Sequence, residues 1–134
     1  GAAICVVRDD SIIFWKNYKE FTPDTKVYVA SAGKWVAAAV IGAVVDRTDL
    51  DWNDNVKKWI PEFKNDVKGM ITLRQLLSHT SGVRPYLPEP RVDNYNQLDS
   101  AVMEILPLDT VFTPGTRFEY GGLAMQIAGW QKKR

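Results

Sequence analysis

From Ser31 to Arg47 the chain carries no proline, and alanines and large aliphatics fill nearly every position until Asp46, Arg47, Thr48 and Asp49 end the run. That composition predicts a helix over residues 31–47. A helix that is apolar on every side has no face to offer water, so the fold must enclose it between a sheet and other helices. Its longest apolar stretch, Trp35 to Val45, is well short of the roughly 18 to 20 residues that cross a bilayer. The run therefore predicts a core helix and no membrane span, and the rest of the fold has to be arranged around it.

The segments before this helix read as strands. Ala2 to Arg8 is β-branched and apolar, Asp9-Asp10 is turn-like, and Ser11 to Lys16 is again rich in isoleucine and aromatic residues, which predicts a β-hairpin. Pro23 interrupts regularity, and Lys26 to Ala30 is expected to be a short strand delivering the chain to Ser31. After the helix, Leu50 to Phe63 predicts a loop with one or two helical turns. Thr72 predicts an N-cap for a helix over Leu73 to His79, with Gln75 at the third helical position and Gly82 just beyond the end. Arg84 to Arg91, with three prolines, predicts a loop. Tyr95 to Leu106 predicts a helix stopped by Pro107, and Thr113-Pro114-Gly115 a turn into Phe118-Glu119-Tyr120, before a last helix over Leu123 to Trp130. The expected class is α+β: sheet strands in 1–30 packed on the buried helix of 31–47, and a mainly helical region in 48–134.

Charge and cysteine use narrow the function. Seventeen basic residues face sixteen acidic ones, scattered along the chain, so nothing marks a nucleic-acid surface. The one cysteine, Cys5, lies in an apolar strand and reads as a small core residue. The one histidine, His79, falls in the last turn of the Leu73 helix, where an imidazole can meet free carbonyls. A structural role is expected for it, and a single histidine with a distant cysteine makes a poor metal site. No metal or cofactor is expected. The five tryptophans are spread over several elements, as packing residues are.

The chemistry concentrates at Ser31 and Lys34. Residues three apart on a helix share a face, so the lysine amine is held near the serine hydroxyl, and the N–H groups of the first turn point where an oxyanion would form. A serine hydroxyl is a weak nucleophile until a neighbour takes its proton. A lysine takes it only when neutral, which burial at the head of a helix with no other charge before Asp46 would favour.

The run Tyr28-Val29-Ala30-Ser31-Ala32-Gly33-Lys34-Trp35 resembles the first motif of class C beta-lactamases, related esterases and D-alanyl-D-alanine peptidases. Ile71-Thr72-Leu73-Arg74-Gln75-Leu76-Leu77-Ser78-His79-Thr80-Ser81-Gly82-Val83 resembles the long structural segment these proteins carry after the nucleophile helix. The stretch Leu50 to Phe63 is similar to the part between the two, and Thr113-Pro114-Gly115-Thr116-Arg117-Phe118-Glu119-Tyr120 resembles the lead-in to their second catalytic motif. The resemblance implies an incomplete beta-lactamase-like fold and a serine hydrolase acting on a small-molecule ester, amide or beta-lactam. It makes Ser31, Lys34 and Tyr120 the catalytic residues and suggests a periplasmic or secreted location. Tyr120 would share the proton leaving Ser31 and later activate water.

Two departures shape that expectation. Gly122 stands where the family motif has an asparagine that helps hold the substrate amide, which points toward an esterase. A C-terminal third motif, with its strands and second oxyanion N–H, lies outside these 134 residues, so the remainder of a larger protein is expected and little turnover from this piece alone. A D-alanyl-D-alanine peptidase or penicillin-binding protein, and a non-catalytic interaction protein on the same scaffold, are the competing readings.

Overall fold

A computed structural model describes residues 1–64, 67–88 and 97–130. They divide into two compact units, Gly1–Ser31 and Ala32–Arg134.

The first unit is the hairpin. Strand β1 (Ala2–Arg8) pairs antiparallel with β2 (Ser11–Tyr18), with a bulge between Val6 and Val7. The turn is made by Asp9 and Asp10 at φ 49° and 60°. Two successive left-handed residues match the right-handed twist of the flanking strands, and aspartate tolerates that conformation better than most side chains. Almost every hairpin side chain is exposed, Cys5 among them, which corrects its expected place in a core. The strand expected over 26–30 is also corrected: residues 26–29 form no ladder among the described residues. The β-preference of Val27, Tyr28 and Val29 is realised only against a partner strand, and none of the described residues pairs with them. Ala30, in the left-handed region at φ 44°, begins a 3-10 turn, Ala30–Ala32, that leads straight into the first α-helix.

The second unit holds helices α1 (Gly33–Val45), α2 (Leu73–Leu77), α3 (Leu98–Ile105) and α4 (Leu123–Gly129). The chain is α+β, as expected. Enclosure of α1 on all sides is corrected: Ile41 is its one buried residue, and Trp35 is 71% exposed. A 13-residue helix apolar around its whole circumference presents more surface than its contact with α4 covers.

The core lies instead among α2, α3, α4 and the turns ahead of them. Val56, Ile60, Phe63, Ile71, Leu73, Leu76, Val102, Ile105, Leu123 and Ile127 are nearly inaccessible and form one cluster. The expected turns in 50–63 are 3-10 turns at Val56–Lys58 and Pro61–Phe63, followed by a third at Lys68–Met70. A bridge between Asn55 and Thr72 ties this region to the start of α2. Lys68 Nζ donates to the carbonyls of Leu106 and Leu108 just past α3, where a cation suits the negative end of the helix. Helix α3 starts later than the expected Tyr95, which lies outside the described residues, as do Glu89 to Arg91 of the expected loop. Among the described residues no helix is long and apolar enough to cross a membrane.

Candidate active site

Helix α2 sets the site. Thr72 Oγ1 accepts from the Gln75 N–H at 3.2 Å, and Gln75 Oε1 accepts from the Thr72 N–H at 3.0 Å, a reciprocal box that fixes where the helix begins. Its end departs from expectation. The helix stops at Leu77, and the left-handed residue that closes it is His79, at φ 58°, three positions before the anticipated glycine. The Thr80 N–H bonds the Gln75 carbonyl at 3.0 Å and the His79 N–H bonds that of Leu76 at 3.4 Å, the pair of bonds of a Schellman ending.

The chain leaving α2 then braces the segment that carries Tyr120. The carbonyl of His79 accepts from the Glu119 N–H at 2.8 Å, that of Thr80 from Gly115 at 2.7 Å, that of Gly82 from Val111 at 2.8 Å and that of Pro85 from Gly122 at 2.9 Å. Tyr120 is thereby held on both sides. The turn before it has Pro114 second and Gly115, at φ 86°, third, and closes with the Thr116 N–H on the Thr113 carbonyl at 3.2 Å. The segment Ile71 to Val83, expected to be structural, is the part of the chain that places the tyrosine.

Two of the three expected site residues meet within this unit. Lys34, in the first turn of α1, is half-buried and sets its Nζ 5.2 Å from the centre of the Tyr120 ring. A cation over an aromatic face is attracted by the ring. The amine is less enclosed than the sequence implies. Ser31 is exposed in the 3-10 turn Ala30–Ala32, directly after the left-handed Ala30 and three residues ahead of Lys34. Ala32, at the N-cap of α1, has no side chain able to occupy the N–H groups of the first turn.

His79, expected in the last turn of α2 in a structural role, lies instead two residues past its end and beside Tyr120. Its ring lies 4.7 Å from that of Tyr120 and meets Phe118 edge-on at 5.9 Å. Burial holds its basicity below the ordinary value, and the charge of Lys34 lowers it further. No local pattern marks this position, because the left-handed place that closes the helix is filled by a residue other than glycine. Among the described residues no group of three or more histidine, cysteine or acidic side chains could hold a metal ion.

Comparisons with known proteins give the family of the chain. The family model described as Beta-lactamase matches residues 1–130. Protein flp of Staphylococcus aureus (strain N315) is 30% identical over an alignment covering 96% of this chain and 28% of that protein. Esterase EstB of Burkholderia gladioli is 27% identical, over 96% of this chain and 39% of that protein. A crystal structure of a protein from Bacteroides dorei, provisionally described as a beta-lactamase, superposes with a TM-score of 0.92 at 81% identity, covering 95% of this chain and 38% of that one. The chain spans between 28 and 39% of the length of these relatives.

Proposed function

Because the chain belongs to the beta-lactamase family, we propose that it carries the nucleophile of a serine hydrolase working through an acyl-enzyme. Ser31 is the nucleophile in this reading, and Lys34 and Tyr120 are the pair that handles its proton. The observation that carries it is the approach of Lys34 Nζ to 5.2 Å from the Tyr120 ring, between residues far apart in the chain. In this reading the amine and the phenol act as one proton-handling pair, each receiving the proton in turn.

The reaction follows from those roles. Ser31 Oγ attacks the carbonyl carbon of an ester while its proton passes to the Lys34–Tyr120 pair, and N–H groups at the head of α1 bond to the oxyanion. The tetrahedral intermediate collapses, the C–O bond to the leaving group breaks, and the pair returns the proton to the departing alkoxide. Water then attacks the acyl-serine, giving up its proton to the same pair. A carboxylic acid leaves and the Ser31 hydroxyl is restored.

Esters are favoured as substrates over beta-lactams. Gly122 offers no side-chain amide where the family motif has an asparagine, and one of the relatives is named an esterase. Mass spectrometry of the full-length protein after exposure to a fluorophosphonate is the test. An adduct on Ser31 that disappears in Ser31→Ala is expected, and labelling unchanged in Ser31→Ala rejects the site. The lifetime of a penicillin adduct then separates a hydrolase, which sheds it quickly, from a cell-wall peptidase, which holds it.

A further inference from the structure

His79 occupies a backbone position that charges it for being there. A left-handed conformation at the end of a helix is free for glycine and strained for a residue with a Cβ, and such strain persists where the side chain is put to use. The use is visible in the contacts of the imidazole. The His79 imidazole stacks at 4.7 Å and a 45° tilt on the ring that also receives Lys34, and its own carbonyl fixes Glu119, the neighbour of Tyr120. Its Nδ1 is buried with no hydrogen-bond partner among the described residues. A bare nitrogen tolerates that setting better than an N–H would, since a buried donor left unpaired costs more than a weak acceptor.

We infer that His79 is a positioning residue: an uncharged imidazole that fixes the Tyr120 ring in the pose where it meets Lys34. This deepens the reading of the site given above and rests on it for its catalytic consequence. Lys34 already brings a positive charge to the Tyr120 ring, so the imidazole sits there most favourably without a proton. Of the elements around it, α1 brings Lys34, and the 116–122 segment brings Tyr120 together with Arg117 and Glu119, which are paired with each other. Arg74, on α2 itself, is hydrogen-bonded to Asn53. A proton on His79 would therefore set a second positive charge beside Lys34, and the contact between the rings would loosen in acid.

The test compares His79→Gly and His79→Phe with the parent in the full-length protein, reading the rate of fluorophosphonate attachment to Ser31 between about pH 5 and about pH 9. Glycine relieves the backbone, so the thermal midpoint should hold or rise, while labelling slows about 10- to 100-fold because Tyr120 loses its support. Phenylalanine keeps a flat ring that cannot take a proton, so it should label near the parent rate and lose the step of the parent's acid decline that follows the His79 titration. Parent-like labelling and an unchanged pH profile in His79→Gly overturn the inference.

A second measurement separates this from failure of the Ser31 reading. His79 is the one histidine of the chain, so its imidazole resonances are unambiguous. If the parent never labels at Ser31, the nucleophile assignment falls, and the NMR titration still decides the positioning role. Tyr120 ring signals should move with the His79 titration, and that titration should shift upward in Lys34→Met. Independence of the three groups sinks the inference.

Discussion

Tyr120 is followed by two glycines with opposite reasons for being there. A Cβ on Gly121 would lie 2.3 Å from Pro85 Cα and 2.6 Å from the Pro85 carbonyl oxygen, which no side-chain rotation can relieve. A Cβ on Gly122 would meet nothing within 4 Å. Its backbone, at φ −96° and ψ −34°, suits any residue, and it caps α4, where asparagine is among the best choices. Gly121→Ala should therefore cost about 1–3 kcal/mol in denaturant unfolding and slow Ser31 labelling by displacing its neighbour. Gly122→Asn should fold at least as well as the parent, gaining a few tenths of a kcal/mol from the better cap. It should also raise penicillin turnover relative to ester turnover. An unchanged ratio in a well-folded Gly122→Asn would mean that the missing amide does not set the preference. Tyr120 and Gly122 were both legible as positions in a motif. The demand at Gly121 was not, because it comes from Pro85, a residue from another part of the chain whose approach leaves no local pattern.

At the scale of elements, legibility followed the range of the forces involved. The hairpin turn at Asp9-Asp10 and the box between Thr72 and Gln75 are built from neighbours in the chain, so residue types and spacing reveal them. Val27, Tyr28 and Val29 carry the same kind of local preference and form no strand, because a ladder is made by two partners and the sequence of one does not contain the other. The end of α2 failed for a different reason. Glycine is the usual helix closer, so the sequence points to Gly82, whereas His79 takes the left-handed position itself. Gly82 is nevertheless required: its φ is 74°, and a Cβ there would sit 2.2 Å from the Phe112 carbonyl oxygen. The box at the other end of α2 gives a clean measurement. Thr72→Ala removes an acceptor for the Gln75 N–H and should cost about 1 kcal/mol, with Thr72→Ser restoring most of it. The check is the shift in urea midpoint at constant slope. A neutral Thr72→Ala would mean that packing of Leu73 and Leu76 alone fixes the start of this five-residue helix.

For the molecule as a whole, apolar residues are divided unevenly between core and surface. In the second unit Leu73, Leu76, Ile105, Leu123 and Ile127 are each about 1% exposed or less, so their burial supplies most of the free energy that orders α2, α3 and α4. The hairpin has no such cluster: Val7 is 59% exposed, Ile12 60% and Trp15 50%. Its strands are held by ladder bonds and by side-chain pairs across them, which for two strands in water is marginal. Helix α1 lies between these extremes, with Ile41 buried and Val36 and Val40 exposed. Local opening should follow the same order. Amide hydrogen exchange on this chain should show the residues of α2 and α4 protected at least roughly 100-fold more than those of β1 and β2, with α1 intermediate. Equal protection in hairpin and helices would mean that the exposed strand faces are covered in solution, and the division of stability between the two units would have to be redrawn.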